Sequence, residues 1–531
     1  MNRILLGLAT AAALWSAACG GGGSVAIPPP PVGGFTNASL NGQYAFVTSG
    51  EVFASGAPNA TPVARTGSFM ADGSGGISGG VEDVVEPGIL PNLAVTINNG
   101  SYTVNADGRG TLTLNVTSGG IPSSINFGIV LTSTNDGLMI DETSTPAQAS
   151  TASGNFFKQD TGAFTNPVLP VTATYVFDFS GEDTNMFPAS LVGEFTAGNG
   201  AISAGVEDVN ADFALTSAFS FSGGALTLDP ANTSFGRGTT VIAGENYVFY
   251  IVDATRIRFI STSGGAMYTG DAIIQDNTIP TKVSSLNSGF AFIVAGSSGS
   301  GGGLTRVGRF TANGASVSNV LVDTNNAGMF TRTTGASNTL ITLDPANPGR
   351  GTVTFLGNGL GSPFAFVFYL TSASQGVIQE TTLNKGLVVA VADGTLAAQS
   401  GSPFSSTSIT GTYALNWSGQ SLQSGVFDEE DLVGQVTTSS FNLTGAADIF
   451  QFTGIAPQTN VVVGGSLMID GDGTGGTGLR NNMNITLTSS SAANVHFVVY
   501  FVNPQLAFFA NDNNQGTTRI VAGVLEAQKS P

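Results

Sequence analysis

The chain has only one cysteine, Cys19, one histidine, His496, and two tryptophans in 531 residues. A single Cys excludes an intramolecular disulfide framework and a thiolate metal cluster, and a single His excludes His-rich zinc sites. A Cys–His catalytic pair would need Cys19 itself. A Ser-His-Asp triad would need His496, and no nucleophile-elbow pattern appears in the chain. Charged residues are 10% of the chain, well below the about 25% of an average soluble domain. Positive charge is the rarer sign, with 16 Lys and Arg against 35 Asp and Glu and a net charge of −19. That field repels polyanions, and phosphate binding needs clustered Lys and Arg, so nucleic acid is excluded as a partner. Helical periodicity is almost absent beyond the first 18 residues.

Glycine, by contrast, reaches 73 residues, phenylalanine 35, and hydrophobic residues 41%. Many Gly, Ser, Thr and Asn beside many aromatic and β-branched residues describe an all-β extracytoplasmic protein. Its apolar content is sufficient to offset the entropy of ordering. At roughly 100–150 residues per domain, the length accommodates about three to five domains.

Met1-Asn2-Arg3 is a short positive region, Ile4 to Trp15 is an uncharged apolar run, and Ser16-Ala17-Ala18 supplies small residues before Cys19. This is the pattern of a secretory signal, too short for a membrane span. Small residues ending at a Cys resemble the bacterial lipoprotein signal, with Ser16 where that pattern prefers an aliphatic residue. The resemblance implies lipidation of Cys19 as the first mature residue and, through Gly20, an outer-membrane destination. Several acyl chains anchor stably where one alone binds marginally. Gly20 to Ser24 and Pro28 to Pro31 then read as a tether, flexible in its glycines and stiff in its prolines.

Behind the tether four landmarks recur in constant order. An opening aromatic strand carries Tyr44, Tyr175, Phe290 and Tyr413, about 120 residues apart, the spacing of whole domains rather than of solenoid repeats. A second strand carries Gly67-Ser68-Phe69, Gly193-Glu194-Phe195 and Gly308-Arg309-Phe310, and is missing from the fourth unit. The glycine–arginine turns follow at Gly108-Arg109-Gly110, Gly236-Arg237-Gly238 and Gly349-Arg350-Gly351, with a degraded copy lacking Arg at Asp470-Gly471-Asp472-Gly473-Thr474. The closing strand carries Gly154/Gln159, Gly270/Gln275, Gly394/Gln399 and Gly523/Gln528. The implied boundaries are a signal peptide (1–18), the lipidated Cys with its tether (19–35), and β repeats at 36–160, 171–276, 284–400 and 408–531. The divergent fourth repeat reads as a cap on the array.

In the first unit eight or nine short strands with short, turn-rich gaps predict a β-meander closing into an eight-stranded barrel, with a two-sheet sandwich as the runner-up. The fold class is thus all-β, four tandem β-meander domains. The most apolar strand of each unit (127–131, 247–252, 364–370 and 497–502) is apolar on both faces. That predicts burial by its own core and by a neighbouring unit. The short strands count against a membrane-spanning barrel, which needs about 9–11 residues per strand. Together the aromatic opening, the Phe-Thr-Ala-type strand, Gly-Val-Glu-Asp-Val and Gly-Arg-Gly-Thr are similar to uncharacterised secreted bacterial lipoproteins built of tandem repeats of this kind. The resemblance covers nearly all of the mature chain, best in units one to three. It implies a location and an architecture, and carries no activity.

Three motifs bear on chemistry. The glycine turns either present Arg109, Arg237 and Arg350 as anion contacts or are hairpins with a solvated Arg beside them. Only positive φ is required, and no helix follows as in a phosphate loop, so the structural reading is preferred. Glu82-Asp83 recurs as Glu207-Asp208, while the third unit keeps only Asp323. Adjacent strand residues point to opposite faces, so neither couple is a catalytic pair, though one member can turn inward to the Arg or a backbone amide. Asp470, Asp472 and Thr474 alternate like the start of a calcium loop, with Asn481 where a Glu is expected and no flanking helices; a plain glycine turn is preferred to Ca2+. The expected function is a lipid-anchored, non-enzymatic cell-envelope protein with a binding or structural, adhesin-like role. Its partners would be the membrane, through the lipid, and a surface ligand, glycan or protein. The alternatives are a carrier of small apolar ligands in barrels lined by Phe69, Phe127 and Phe156, and an extracytoplasmic glycan hydrolase using carboxylates.

Overall fold

The computed structural model describes residues 34–531 apart from 55–59, 88–89, 146–147, 300, 336–339, 356–362, 406, 424–425, 452–455, 470–478, 489–493 and 513–517. The signal, Cys19, and the calcium candidates Asp470, Asp472 and Thr474 lie outside the described residues. Among the described residues helical structure is confined to three-residue 3-10 turns, and no helix is long and apolar enough to cross a membrane.

Repeat 1 is a closed barrel of eight strands in sequence order: β1 (Asn41–Ala54), β2 (Thr61–Asp72), β3 (Gly76–Val85), β4 (Asn92–Val104), β5 (Arg109–Ser118), β6 (Ile121–Leu131), β7 (Asp136–Asp141) and β8 (Gln148–Lys158). The two segments expected at 93–98 and 100–105 are one strand, β4, whose register shifts between Ile97 and Asn99, so polar residues there mark a bulge and not a turn. Repeat 4 is likewise a closed eight-stranded barrel. Repeat 3 closes through the pairing of Gly303–Asn313 with Ser316–Asn326 and the single contact Ser316–Leu340. Repeat 2 has the same meander but leaves its strands Ala214–Phe221 and Thr227–Leu228 unpaired with each other. Most strands of repeat 1 run 10 to 14 residues, which corrects the expectation of short ones.

One register runs through all four units: Tyr44 lies opposite Phe69, Tyr175 opposite Phe195, Phe290 opposite Phe310, and Tyr413 opposite Val436. The second landmark is therefore present in repeat 4, as Leu432-Val433-Gly434-Gln435-Val436, with Val in place of Phe. Likewise the Arg is not lost there. Arg480 opens the strand Arg480–Leu487 as Arg109, Arg237 and Arg350 open theirs. Asp470–Thr474 ends a few residues before this strand begins, and Arg480 stands outside the Gly-Arg-Gly spelling.

Inward residues alternate along each strand as the pleat requires. In repeat 1 they pack as one aromatic-rich core: Phe69 stacks on Tyr44 at 5.7 Å and meets Phe156 edge-on at 6.1 Å, and Phe46 contacts Phe127 at 6.2 Å. The segments between the expected repeats also enter these cores. Val168 and Leu169 join the core of repeat 2, Ile279 packs against that of repeat 3, and Phe404 joins that of repeat 4.

The outward faces are buried as well. In the apolar strand of each unit the alternating residues divide as expected: Phe127, Ile129 and Leu131 belong to the barrel's own core, and Val130 to a cluster shared with repeats 3 and 4. Tyr247, Phe249 and Ile251 face inward, whereas Val248 and Tyr250 pack with Ala45 and Val81 of repeat 1. Repeat 1 packs on 2, 2 on 3, 3 on 4, and 4 back on 1 through β6, β7 and β8. The four repeats form a closed ring, and repeat 4, read as a cap, closes it. The ends of the described chain meet there, with Pro531 within 3.9 Å of where a Cβ on Gly34 would stand.

Candidate functional site

The residues that recur most regularly converge on the joints between repeats. Asp83 on β3 accepts two hydrogen bonds from Arg237 of repeat 2, at 2.9 and 2.8 Å, and one from the Tyr250 hydroxyl at 2.5 Å. Asp208 of repeat 2 receives the same set from repeat 3: Arg350 at 2.8 and 2.8 Å and Tyr369 at 2.6 Å. Asp323 of repeat 3 receives it from repeat 4: Arg480 at 2.7 and 3.3 Å and Tyr500 at 2.6 Å. The Arg and Tyr of each set are cross-strand neighbours, so one two-stranded element delivers a bidentate cation and a hydroxyl to one carboxylate. Burial pushes the Tyr250 and Tyr500 hydroxyls well above their usual range, and the nearby aspartate adds to the shift.

The closing-strand glutamines complete each joint. Gln159 donates to the carbonyl oxygens of Phe235 and Ile251, Gln275 to Pro348 and Leu370, Gln399 to Phe501, and Gln528 to Asp107 and Leu131. This explains the turn glycines. A Cβ on Gly108 (φ +84°) or Gly349 (φ +93°) would lie 2.5 Å from the amide nitrogen of Gln528 or Gln275, and one on Gly236 would strike Phe164. Gly110, Gly238 and Gly351 sit one residue into the strand, where a Cβ would meet the carbonyl oxygen of Thr103, Thr227 or Thr342.

Arg109, Arg237 and Arg350 are thus largely buried and engaged, not solvated beside a hairpin. The strand pleat does separate each acidic couple: Asp83 faces the next barrel, while Glu82 lies 3.5 Å from Arg65, which is also 3.8 Å from Asp141. Desolvation holds Glu82 up at about 7. Tyr250, Tyr369 and Tyr500 were missed because a Tyr in an apolar strand reads as core. Their signal is positional: each lies directly across from the turn Arg. His496 is half-buried, and its backbone carbonyl accepts a hydrogen bond from Asn511 at 2.8 Å. No group of three or more His, Cys, Asp or Glu that could hold a metal is found among the described residues. Phe69, Phe127 and Phe156, named as lining for an apolar ligand, are 0–1% exposed and packed on neighbouring rings.

Other carboxyls gather at the joints without a cation. Asp178 and Asp393 face each other across the joint of repeats 2 and 3; desolvation pushes both upward, Asp393 to about 7, and the Asp393 carboxylate adds to the rise at Asp178. Glu51 of repeat 1 faces Asp428 and Asp431 of repeat 4 and Glu182 of repeat 2, and desolvation first, then these charges, raise it to about 8.

No family model matches the chain, and no curated protein matches it. Among solved structures it is similar to transferrin-binding protein B of Haemophilus parasuis, at 9% identity over 78% of this chain and 86% of that one, with a TM-score of 0.18. The same protein of serogroup B Neisseria meningitidis matches at 9% identity over 73% and 82%, also with a TM-score of 0.18. An AttH protein of Nitrosomonas europaea matches at 9% identity over 67% and 92%, with a TM-score of 0.16. At these TM-scores the matches carry no argument about arrangement or activity.

Proposed function

We propose that the chain is a lipid-anchored bacterial cell-envelope protein with a non-catalytic role, a rigid ring of β-barrels that binds a surface glycan or protein or serves as an adhesin-like structural element. One observation carries this reading: the charged residues that recur from repeat to repeat are consumed in holding barrels together. Selection for a repeated Arg–Asp–Tyr contact is selection for a shape. The loops, which differ among the repeats in length and residues, are left to make contacts outward. The signal and Cys19 supply the route and the anchor, and the Gly- and Pro-rich tether holds the ring off the membrane.

The filled core of repeat 1 stands against the apolar-carrier reading, and the buried, mutually paired carboxyls stand against the glycan-hydrolase reading. Labelling cells with a fatty-acid analogue tests the anchor, with incorporation expected in the wild type and none in Cys19→Ala. Protease treatment of intact cells tests exposure at the surface. Protection in intact cells with cleavage after outer-membrane permeabilisation would transfer the role to the periplasmic face.

A further inference from the structure

We infer that the joint between repeats 4 and 1 is where the ring opens, and that its two uncovered faces then pair head to tail with those of a second copy of this chain. The inference concerns assembly and stands independently of the proposed cell-envelope role.

The fourth joint differs from the other three in kind. Asp448 lies opposite Val433 as Asp208 lies opposite Val192, so it is the counterpart of the joint aspartates. Its hydroxyl partner is gone, because Val130 stands across from Arg109 where the other joints have a Tyr. Arg109 pairs with Asp107 of its own turn at 2.9 Å and reaches Asn460 of repeat 4 at 3.1 Å. No linker crosses this joint, whereas the other three are each bridged by the chain itself. Polar bonds across it include Gln528 to Asp107 and Leu131, the Lys529 amide to the Thr132 carbonyl at 2.8 Å, Arg109 to Asn460, Thr151 to Asp431 at 2.7 Å, and Ser153 to Asn416 at 3.1 Å.

The joint also holds opposed carboxyls. Glu51 faces Asp428, Glu182 and Asp431; Asp431 faces Thr151, Ser418, Glu430 and Asp141; Glu142 faces Asp448 and Asp141. The neighbouring cations are already engaged: Arg65 by Glu82 and Asp141, Arg519 by Glu430, and Arg109 by Asp107. Glu142, Glu429 and Asp431 each keep a buried oxygen without a hydrogen-bond partner. Like charges removed from water and facing one another disfavour the closed form once they ionise. Desolvation puts that ionisation at about 7 for Asp431 and about 8 for Glu51 and Glu142.

Opening uncovers the outward apolar residues Val130, Leu138 and Ile140 on one side and Ala414 and Val433 on the other. Apolar faces of this kind seek cover. The two faces are different surfaces that already fit each other, so the contact is heterologous and exchange between copies reproduces it, giving a closed dimer or a growing chain. The second copy is therefore the occupant that the native joint itself specifies.

The test is light scattering and native mass spectrometry of the full-length protein from about pH 5 to about pH 9 at several concentrations. A monomer is expected at the acid end and a concentration-dependent dimer or oligomer at the alkaline end. Glu429→Gln/Asp431→Asn should hold the protein monomeric throughout. If that buried pair of changes prevents folding, Glu142→Gln serves instead and should move the onset to higher pH. A monomer up to pH 9 at every concentration, or an oligomer that forms equally in the carboxamide variant, overturns the inference.

Discussion

Replacing Arg237 by Met should cost far more stability than replacing Arg109 by Met, although both are the same residue of the same motif. The Arg237 side chain is 6% exposed and spans the joint to Asp83, which is fully buried. Met keeps most of the apolar stem, so the change isolates the guanidinium. Removing one partner of a buried pair leaves the other charge uncompensated, a cost of about 3–5 kcal/mol. Tyr250 and the Ala94 backbone amide, 2.8 Å from Asp83, still donate to it, which places the expected loss near the lower end, about 3 kcal/mol. Arg109 pairs instead with Asp107, which is 33% exposed, so its loss should cost about 1 kcal/mol. Urea unfolding followed by circular dichroism compares the midpoints, and Arg237→Met/Asp83→Leu should recover most of the difference, because an apolar replacement of the whole pair is nearly neutral. If Arg237→Met proved no more damaging than Arg109→Met, the joint would not be held as described.

Stability should be greatest near pH 5 and fall toward pH 8.5 in calorimetry. Asp393 and Glu51 are raised to about 7 and about 8, so the fold prefers their neutral forms; that preference is fully present below the unfolded values of about 4 and is lost as pH rises through 7 to 8. Asp393→Asn should flatten the slope, and a melting temperature that rises over this range contradicts the assignment. Gly349→Ala places a Cβ 2.5 Å from the Gln275 amide at a positive φ, and a loss of about 1–2 kcal/mol is expected in urea unfolding, with Gly335→Ala as an open-space control. Phe69→Ala should cost about 3–5 kcal/mol through the cavity it leaves, with no co-purifying ligand lost in native mass spectrometry. Chelation with EGTA should leave the melting profile unchanged, as a plain glycine turn at Asp470 to Thr474 requires; a lowered transition would restore the calcium reading.

The strand content, the repeat order and the doubly buried apolar strands were legible because they are local: pleat alternation and turn residues act over a few positions. The joints were not. Asp83 and Arg237 are 154 positions apart and sit in different repeats, so a comparison of each repeat with itself aligns Arg with Arg and never Arg with Asp. Tyr250 was hidden in the same way, since its apolar neighbours made it look like core filling. Arg480 was overlooked because the chain before its strand departs from the Gly-Arg-Gly spelling. The ring itself was unreadable for a simpler reason: a linear array and a closed one differ at one joint only, and that joint carries the weakest copy of the motif.

The meeting of Gly34 and Pro531 gives the molecule a mechanical character. A load applied at Gly34 enters beside Pro531, at the corner between repeats 1 and 4 that the described backbone does not cross. Pulling there peels repeat 1 from repeat 4 while the bridged joints stay slack, so resistance depends on where the chain is grasped. A permuted chain, joined at Pro531–Gly34 and cut within 278–282, would move the unbridged corner to the Asp208–Arg350 contact and be harder to pull open.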